Sequence, residues 1–242
     1  MAGDPWGELR AAAAALDLGL PPSFEGQACV YLEALARWER IGRLTGYATP
    51  ALRVRHLLVE SLMLLRAVPG AGTPLLDIGS GPGVPGLIVK LARPSWEITL
   101  LEASRRRVNF LRDVSRQLGV AGVAVCEGRA EDLTTGDLAG QFATATMRAV
   151  SRADKAGALA RPFLRPEGVL VQALGRAVVP AHGRVEEIVV PTGGELPWRR
   201  RFLIIRRAEL EGDVSRGTRR IAGTQHRGRQ PEGRRREDHD RR

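Results

Sequence analysis

The stretch Asp77-Ile78-Gly79-Ser80-Gly81-Pro82-Gly83-Val84-Pro85-Gly86 closes a short apolar run at 73–78 and opens a helical one. Glycines at alternate positions let the chain turn sharply and let a ligand approach the peptide plane. The start of the next helix offers unpaired N–H groups to an anionic group. Glu102 stands 19 residues beyond Gly83, at the end of the next apolar run. A carboxylate there can accept hydrogen bonds from ribose hydroxyls. Together these residues predict a nucleoside-bearing cofactor across the carboxyl ends of two adjacent strands.

The spacing selects among such cofactors. A dinucleotide fingerprint, G-x-G-x-x-G, needs its third glycine at position 84, which is Val84. The glycines fall instead at 79, 81 and 83, behind Asp77. Acid-x-G-x-G-x-G is the pattern of class I S-adenosylmethionine (SAM) methyltransferases. The bland alternative is a tight strand-to-helix turn with no ligand. The segment Glu127-Gly128-Arg129-Ala130-Glu131-Asp132 follows a third apolar run. Its backbone groups can read an adenine edge, and an acid there can accept from the amino group. Arg148, after the fourth run, could orient the acceptor or the cofactor carboxylate; it could also be a solvated arginine at a strand end.

No N/D-P-P-aromatic motif of an adenine-N6 enzyme follows that fourth run. Cys29 and Cys126 both lie away from it, so neither suits a cytosine-C5 nucleophile, and both are expected to be small buried residues. Guanine N7 carries a free lone pair and can take a methyl group without losing a proton. Catalysis then reduces to placing two reactants in line. His56, His182, His226 and His239 are scattered without metal-ligand spacing, so no metal is expected. For His56, a capping or surface role is expected ahead of phosphate contact.

These residues need a frame. Leu9, Ala13, Leu16 and Leu20 follow helical spacing up to the Pro21-Pro22 break. Ser23 can cap a second helix, whose stripe Val30, Leu32, Leu35, Trp38 and Ile41 ends near Gly42. A third helix runs from Pro50 to Val68, with Leu57, Leu58, Leu62, Leu64 and Leu65 apolar, before the Pro69-Gly70-Ala71-Gly72 linker. Beyond it, strands near 73–78, 96–101, 122–126, 142–147 and 168–174 alternate with helices at 86–91, 103–118 and 153–164. Late strands follow near 185–190 and 201–205. The alternation implies a class I SAM-methyltransferase, Rossmann-like α/β fold: a mostly parallel sheet with helices on both faces, the late strands supplying antiparallel partners, behind an N-terminal helical extension. The expected division is a helical subdomain at 1–70, a SAM-binding domain at 71–208 and a basic, disordered tail at 209–242.

Composition bounds the rest. The 242 residues are 43% hydrophobic and 26% charged, an ordinary globular balance. Lys+Arg 37 against Asp+Glu 27 leaves +10, and only Lys90 and Lys155 are lysines. That excess suits a polyanion such as RNA, although arginine-rich codon usage would produce it too. The two cysteines exclude a disulfide framework. No apolar run approaches the ~20 residues of a membrane helix. A soluble, cytoplasmic monomer is expected, with no membrane partner. Arg37, Arg40, Arg43, Arg53 and Arg55, on the N-terminal helices, are expected to flank the cofactor cleft and hold RNA phosphates.

Over roughly Val30 to Gly175 the chain resembles the RsmG (GidB) family of small-subunit rRNA methyltransferases. Trp38-Glu39-Arg40-Ile41-Gly42-Arg43-Leu44-Thr45 is similar to that family's W-N-x-x-x-N-L-T, with Glu39 and Arg43 in place of the two asparagines. Arg55 to Leu62 is similar to R-H-x-x-D/E-S-L, one residue longer. Asp77 to Gly86 resembles D-x-G-S/T-G-x-G-x-P-G, and Leu100–Ala103, Phe110–Arg112, Gly128–Asp132 and Arg148–Val150 follow in family order. Ala173-Leu174-Gly175-Arg176 stands where many members have lysine-glycine. The resemblance implies SAM-dependent methylation of guanine N7 in a decoding-region loop of 16S rRNA, with 16S rRNA or the small ribosomal subunit as partner. By position it carries cofactor contacts onto Gly79, Val84, Ala130, Glu131 and Arg148; the physical reading adds Gly81, Gly83 and Glu102. Arg148 is the one residue given a catalytic role. A small-molecule methyltransferase and a non-catalytic RNA-binding protein stay open as alternatives.

Overall fold

A computed structural model describes residues 4–148, 153–174, 183–192 and 196–210. Ala149 and Val150, Gly175 and Arg176, and nearly all of the basic tail lie outside the described residues. The helices are α1 (Pro5–Ala15), α2 (Phe24–Glu39), α3 (Pro50–Arg53), α4 (Glu60–Ala67), α5 (Gly86–Ala92), α6 (Arg105–Leu118) and α7 (Ala153–Ala160). The strands are β1 (Leu75–Ile78), β2 (Ile98–Glu102), β3 (Val123–Glu127), β4 (Phe142–Arg148), β5 (Leu164–Leu174), β6 (Arg184–Val190) and β7 (Trp198–Arg206).

The strands form a seven-stranded sheet in the order β3-β2-β1-β4-β5-β7-β6. β1 to β5 run parallel, β7 pairs antiparallel with β5, and β6 pairs antiparallel with β7. This is the mostly parallel, helix-covered sheet of the class I methyltransferase fold. Its order reverses between β1 and β4. Crossovers leave to opposite faces at such a point, and a crevice opens at the carboxyl ends of the strands. β1 is buried at every position, as a central parallel strand must be.

One face of the sheet shares its core with α1, α2, α4 and the turn at Val54–Val59. Leu9, Phe24, Tyr31, Leu35 and Leu57 join the same cluster as Leu87, Phe110 and Val114. Residues on the two sides of position 70 therefore pack into one core. The other face is covered by α7 and a 3₁₀ turn at Ala130–Leu133, around Ala145, Met147, Ala156 and Phe163.

Two local readings need correction. The expected stripe of α2 holds only in part: Leu35 is buried and Val30, Leu32 and Trp38 pack half-buried against the core, but the fully buried line is Phe24, Ala28, Tyr31, Ala34 and Leu35, the helix stops at Glu39, and Ile41 is 77% exposed. Small Ala28 and Ala34 allow the close approach, and Tyr31 fills the space between. Arg40 and Arg43 therefore share no helical face with Arg37. The helix expected over 50–68 is interrupted by a π-helical turn at Val54–Val59, where the Glu60 amide bonds back to the Arg55 carbonyl. A π turn holds one residue more than an α turn. It takes up the additional residue of the Arg55–Leu62 segment, and Leu57, Leu58, Leu62, Leu64 and Leu65 all stay buried.

Candidate functional site

A cleft of about 620 Å³ opens at the carboxyl ends of β1 to β4, within the size range of small-molecule sites. Gly79 and Gly81 line it from the β1 loop, Glu102 from β2, Ala130 and Glu131 from the turn after β3, and Arg148 from β4. Val84 also borders it. Seven residues expected from sequence thus converge on one cavity, from four separate strand ends.

The glycine loop is held by carboxylates from below. The Asp77 side chain accepts from the Gly86 amide at 3.0 Å and from the Thr146 hydroxyl at 2.9 Å. This ties the loop's far end to β1 and β1 to β4. The first amide of α5 is satisfied by Asp77 and is not offered to a ligand as expected. Burial pushes the Asp77 carboxyl up to about 6, against these hydrogen bonds, which pull it down. Glu102 accepts from the Gly81 amide at 2.8 Å and from the Ser104 amide at 2.9 Å. A carboxylate has about four lone-pair sites, so Glu102 keeps acceptor capacity toward the cleft while fixing the loop.

Gly81 and Gly83 do different work. At Gly81, φ is +57°, and an added Cβ would meet nothing nearer than the Gly79 carbonyl at 3.9 Å. Its missing side chain therefore leaves open space beside the cleft, a cradle that a Cβ would fill. Gly83 does not line the cleft. A Cβ there would come within 3.0 Å of Leu111 and 3.1 Å of Leu87, so this glycine admits α5 and α6 to close packing. That is a correction to its expected role in cofactor contact. A nucleoside-bearing cofactor fits the remaining lining: the Gly79–Gly81 loop without side chains at its glycines, a buried carboxylate with spare lone pairs, and a second acid at Glu131.

Arg148 is not a loose guanidinium. It donates to the His56 carbonyl at 2.6 Å and lies 2.6 Å from Glu60, with Tyr47 Oη at 3.3 Å. Glu60 in turn accepts from Arg200 at 2.5 Å and lies 3.3 Å from His56 Nδ1. Burial raises the Glu60 carboxyl, but the His56 hydrogen bond and the charges of Arg148 and Arg200 outweigh it and leave it lowered. His56 stacks on Tyr47 at 4.4 Å between centroids and meets the edge of Trp198. It is half-buried rather than the surface residue expected.

Sequence reasoning missed Tyr47, Glu60 and Tyr31. Tyr47 and Thr45 line the cleft from the turn after α2. Glu39 fixes that turn by accepting from the Thr45 amide and hydroxyl, and it pairs with Arg53. The tyrosines carried a signal in a chain only 5% aromatic. The basic surface is smaller than expected, because Arg53 is paired with Glu39 and Arg55 with Glu8. Arg37 donates to Gln117. Cys29 is exposed and Cys126 half-buried, so the expectation that both are buried fails. Among the described residues no group of three His, Cys, Asp or Glu side chains could hold a metal, and no helix is long and apolar enough to cross a membrane.

Comparison with known proteins agrees with this geometry. A protein named ribosomal RNA small subunit methyltransferase G from Sorangium cellulosum is 38% identical over 148 residues, 60% of this chain and 62% of that one. The protein of the same name from Xylella fastidiosa is 36% identical over 184 residues, 73% of this chain and 84% of that one. Among solved structures, a precorrin-6y C5,15-methyltransferase from Geobacter metallireducens aligns at a TM-score of 0.42 and 16% identity, covering 67% of this chain and 91% of that one. The family model described as GidB, rRNA small subunit methyltransferase G, matches residues 25–178, and the chain belongs to that family.

Proposed function

We propose that this protein methylates 16S rRNA with S-adenosylmethionine as donor, at N7 of a guanine. The observation that carries the reading is the Gly79–Gly81 loop held on Glu102 at the sheet's reversal point, beside a cleft walled by N-terminal residues. S-adenosylmethionine bound there supplies a methyl group on a positively charged sulfur, and transfer to N7 moves that charge onto the guanine ring without moving a proton. Gly79 and Gly81 present backbone to the ligand, Glu102 accepts from ribose hydroxyls, and Ala130 with Glu131 meets the adenine. Val84 packs against the ligand from the loop's end. Arg148 and Tyr47 bound the side from which the acceptor enters, with Arg148 held in place by Glu60.

Among the described residues, the side chains lining the cleft include no cysteine or histidine. N7 needs neither a nucleophile nor a base, so proximity and alignment suffice. The division into a helical part at 1–70, a SAM-binding part at 71–208 and a basic tail at 209–242 belongs to the same reading, as does a monomeric enzyme working in the cytoplasm. The test is to incubate small ribosomal subunits, and separately free 16S rRNA, with the protein and radiolabelled S-adenosylmethionine, then map the label by nuclease digestion and mass spectrometry. A single N7-methylguanosine is expected. Label on another base, or none on either RNA form, overturns the reading.

A further inference from the structure

The arginines with nearby carboxylates and those without lie in different places. Arg10, Arg53, Arg55, Arg116, Arg148, Arg184, Arg199 and Arg200 each sit within 3.3 Å of an acid. Arg40 and Arg43, on the turn after α2, are exposed and have no such partner among the described residues. Arg106, in the first turn of α6 after Arg105, lies beside that turn, and this first turn carries no acid. Arg106 donates to the Arg43 carbonyl, which joins the two elements and leaves its charge uncompensated. Cations in the first turn of a helix oppose the helix dipole, so this cluster costs stability unless an anion approaches it.

Ile41 stands between Arg40 and Arg43 and is 77% exposed. Leu44, three residues on, already lines the cleft, so Ile41 lies within roughly 11 Å of its rim along the chain. In an rRNA loop, the setting the family resemblance implies for the target, a base stacked on its neighbours must be splayed out before a protein cleft can enclose it. A reacting N7 must come within about 3–3.5 Å of the methyl carbon. The base therefore has to leave its stack to enter the cleft. Apolar side chains inserted between base steps are a known physical means of unstacking them.

We propose that the Arg40–Arg43 turn and the start of α6 form the RNA-docking rim of this enzyme. The arginines grip backbone phosphates, and Ile41 wedges against a base beside the target guanine. This rests on the rRNA-methyltransferase reading given above. Phosphate contacts position without reading sequence, while the wedge acts on the step that delivers the base.

The test uses the full chain and small ribosomal subunits, with wild-type activity as the reference. Arg40→Glu/Arg43→Glu should weaken subunit binding at least tenfold. It should also flatten the dependence of log affinity on log salt by about 1.5–2, the slope carried by two phosphates, with S-adenosylmethionine affinity unchanged by calorimetry. Ile41→Ser should lower kcat at least tenfold with subunit affinity within twofold. Both sites are exposed, and thermal melting confirms folding. Unchanged affinity and slope in the double variant overturn the docking rim, as does loss of binding on removing residues 211–242 while the double reversal does nothing. Wild-type kcat in Ile41→Ser overturns the wedge. If the wild-type protein methylates neither the subunit nor free 16S rRNA, the rRNA reading has failed; if it methylates either and the variants match it in binding and rate, the rim alone has.

Discussion

Tyr31 on α2 donates its hydroxyl to the Pro82 carbonyl of the glycine loop, 2.9 Å away and 51 residues later in the chain. The tyrosine is fully buried, packs edge-on against Phe110, and burial drives its hydroxyl above the ordinary range, so it remains a donor at every working pH. An N-terminal helix thus fixes the loop from above, while Asp77 and Glu102 fix it from below.

Tyr31→Phe keeps the packing and removes that donor. Pro82 is half-buried at the cleft, so losing this hydrogen bond costs about 0.5–1.5 kcal/mol. The variant should melt at lower temperature and bind S-adenosylmethionine several-fold more weakly, because the loop samples more conformations. Calorimetry with wild-type affinity would show that the loop is held without α2.

Gly81→Val places a β-branched side chain at φ +57°, where an added Cβ sits in open space beside the cleft. The backbone strain is about 1–2 kcal/mol, and the isopropyl group occupies the space assigned to the ligand. Cofactor affinity should fall at least a hundredfold while urea denaturation still shows a cooperative fold. Retained affinity would remove the loop from the binding site. Glu102→Gln should be nearly as severe: both oxygens of Glu102 accept from backbone amides, and the glutamine NH₂ would face one of those donors.

The sequence exposed the site through its backbone chemistry. Alternate glycines behind Asp77 and the carboxylate at Glu102 mark a strand-to-helix turn and the next strand's end, and both features are local along the chain. The helix expected over 103–118 forms as α6, with Val108, Leu111, Val114 and Leu118 buried at helical spacing. What stayed hidden is non-local. Glu60 lies 88 residues from Arg148 in the chain, and only the fold brings them to 2.6 Å. Ion pairing cannot be read from arginine spacing, so Arg53 and Arg55 looked like free phosphate ligands. In α2 the expected Val30, Leu32, Leu35 and Trp38 do reach the core, but the centre of the buried face is built from alanines and Tyr31, which an apolar stripe does not single out. The greater length of the Arg55–Leu62 segment was visible, but not that a π turn at Val54–Val59 would take it up.

Asp77 gives stability an unusual pH dependence. Its carboxyl ionises at 3.8 in the unfolded chain and about 6 when folded. Between those values the folded state holds a proton that the unfolded state has lost, so stability falls as pH rises through this window and the loss persists above it. The shift corresponds to roughly 3 kcal/mol. Asp77→Asn can still accept from the Gly86 amide, with the Thr146 hydroxyl turned to accept from its NH₂. Urea denaturation at pH 4 and pH 7 should show the variant losing less stability across the interval than the wild type. Parallel curves would show that Asp77 ionises normally in the folded protein.

Glu60 carries the opposite sign, and its removal tests the network behind Arg148. Its folded carboxyl is lowered, so its contribution is present above the unfolded value of 4.5 and is lost as pH falls through the folded one. Glu60→Gln leaves two guanidiniums without their shared counter-charge, and its NH₂ must face one of them. Breaking a buried pair this way costs about 3–5 kcal/mol. Arg200→Met removes one of the stranded charges, so the double variant should recover part of the loss. The coupling, measured by denaturation of both single variants and the double, should exceed 1 kcal/mol. Arg148, tethered to the same carboxylate, then links fold to activity: Glu60→Gln should lower kcat more than the double variant's residual instability explains at temperatures where both are folded. Additive effects in the stability cycle, with kcat unchanged in Glu60→Gln, would mean that Arg148 holds its place without Glu60.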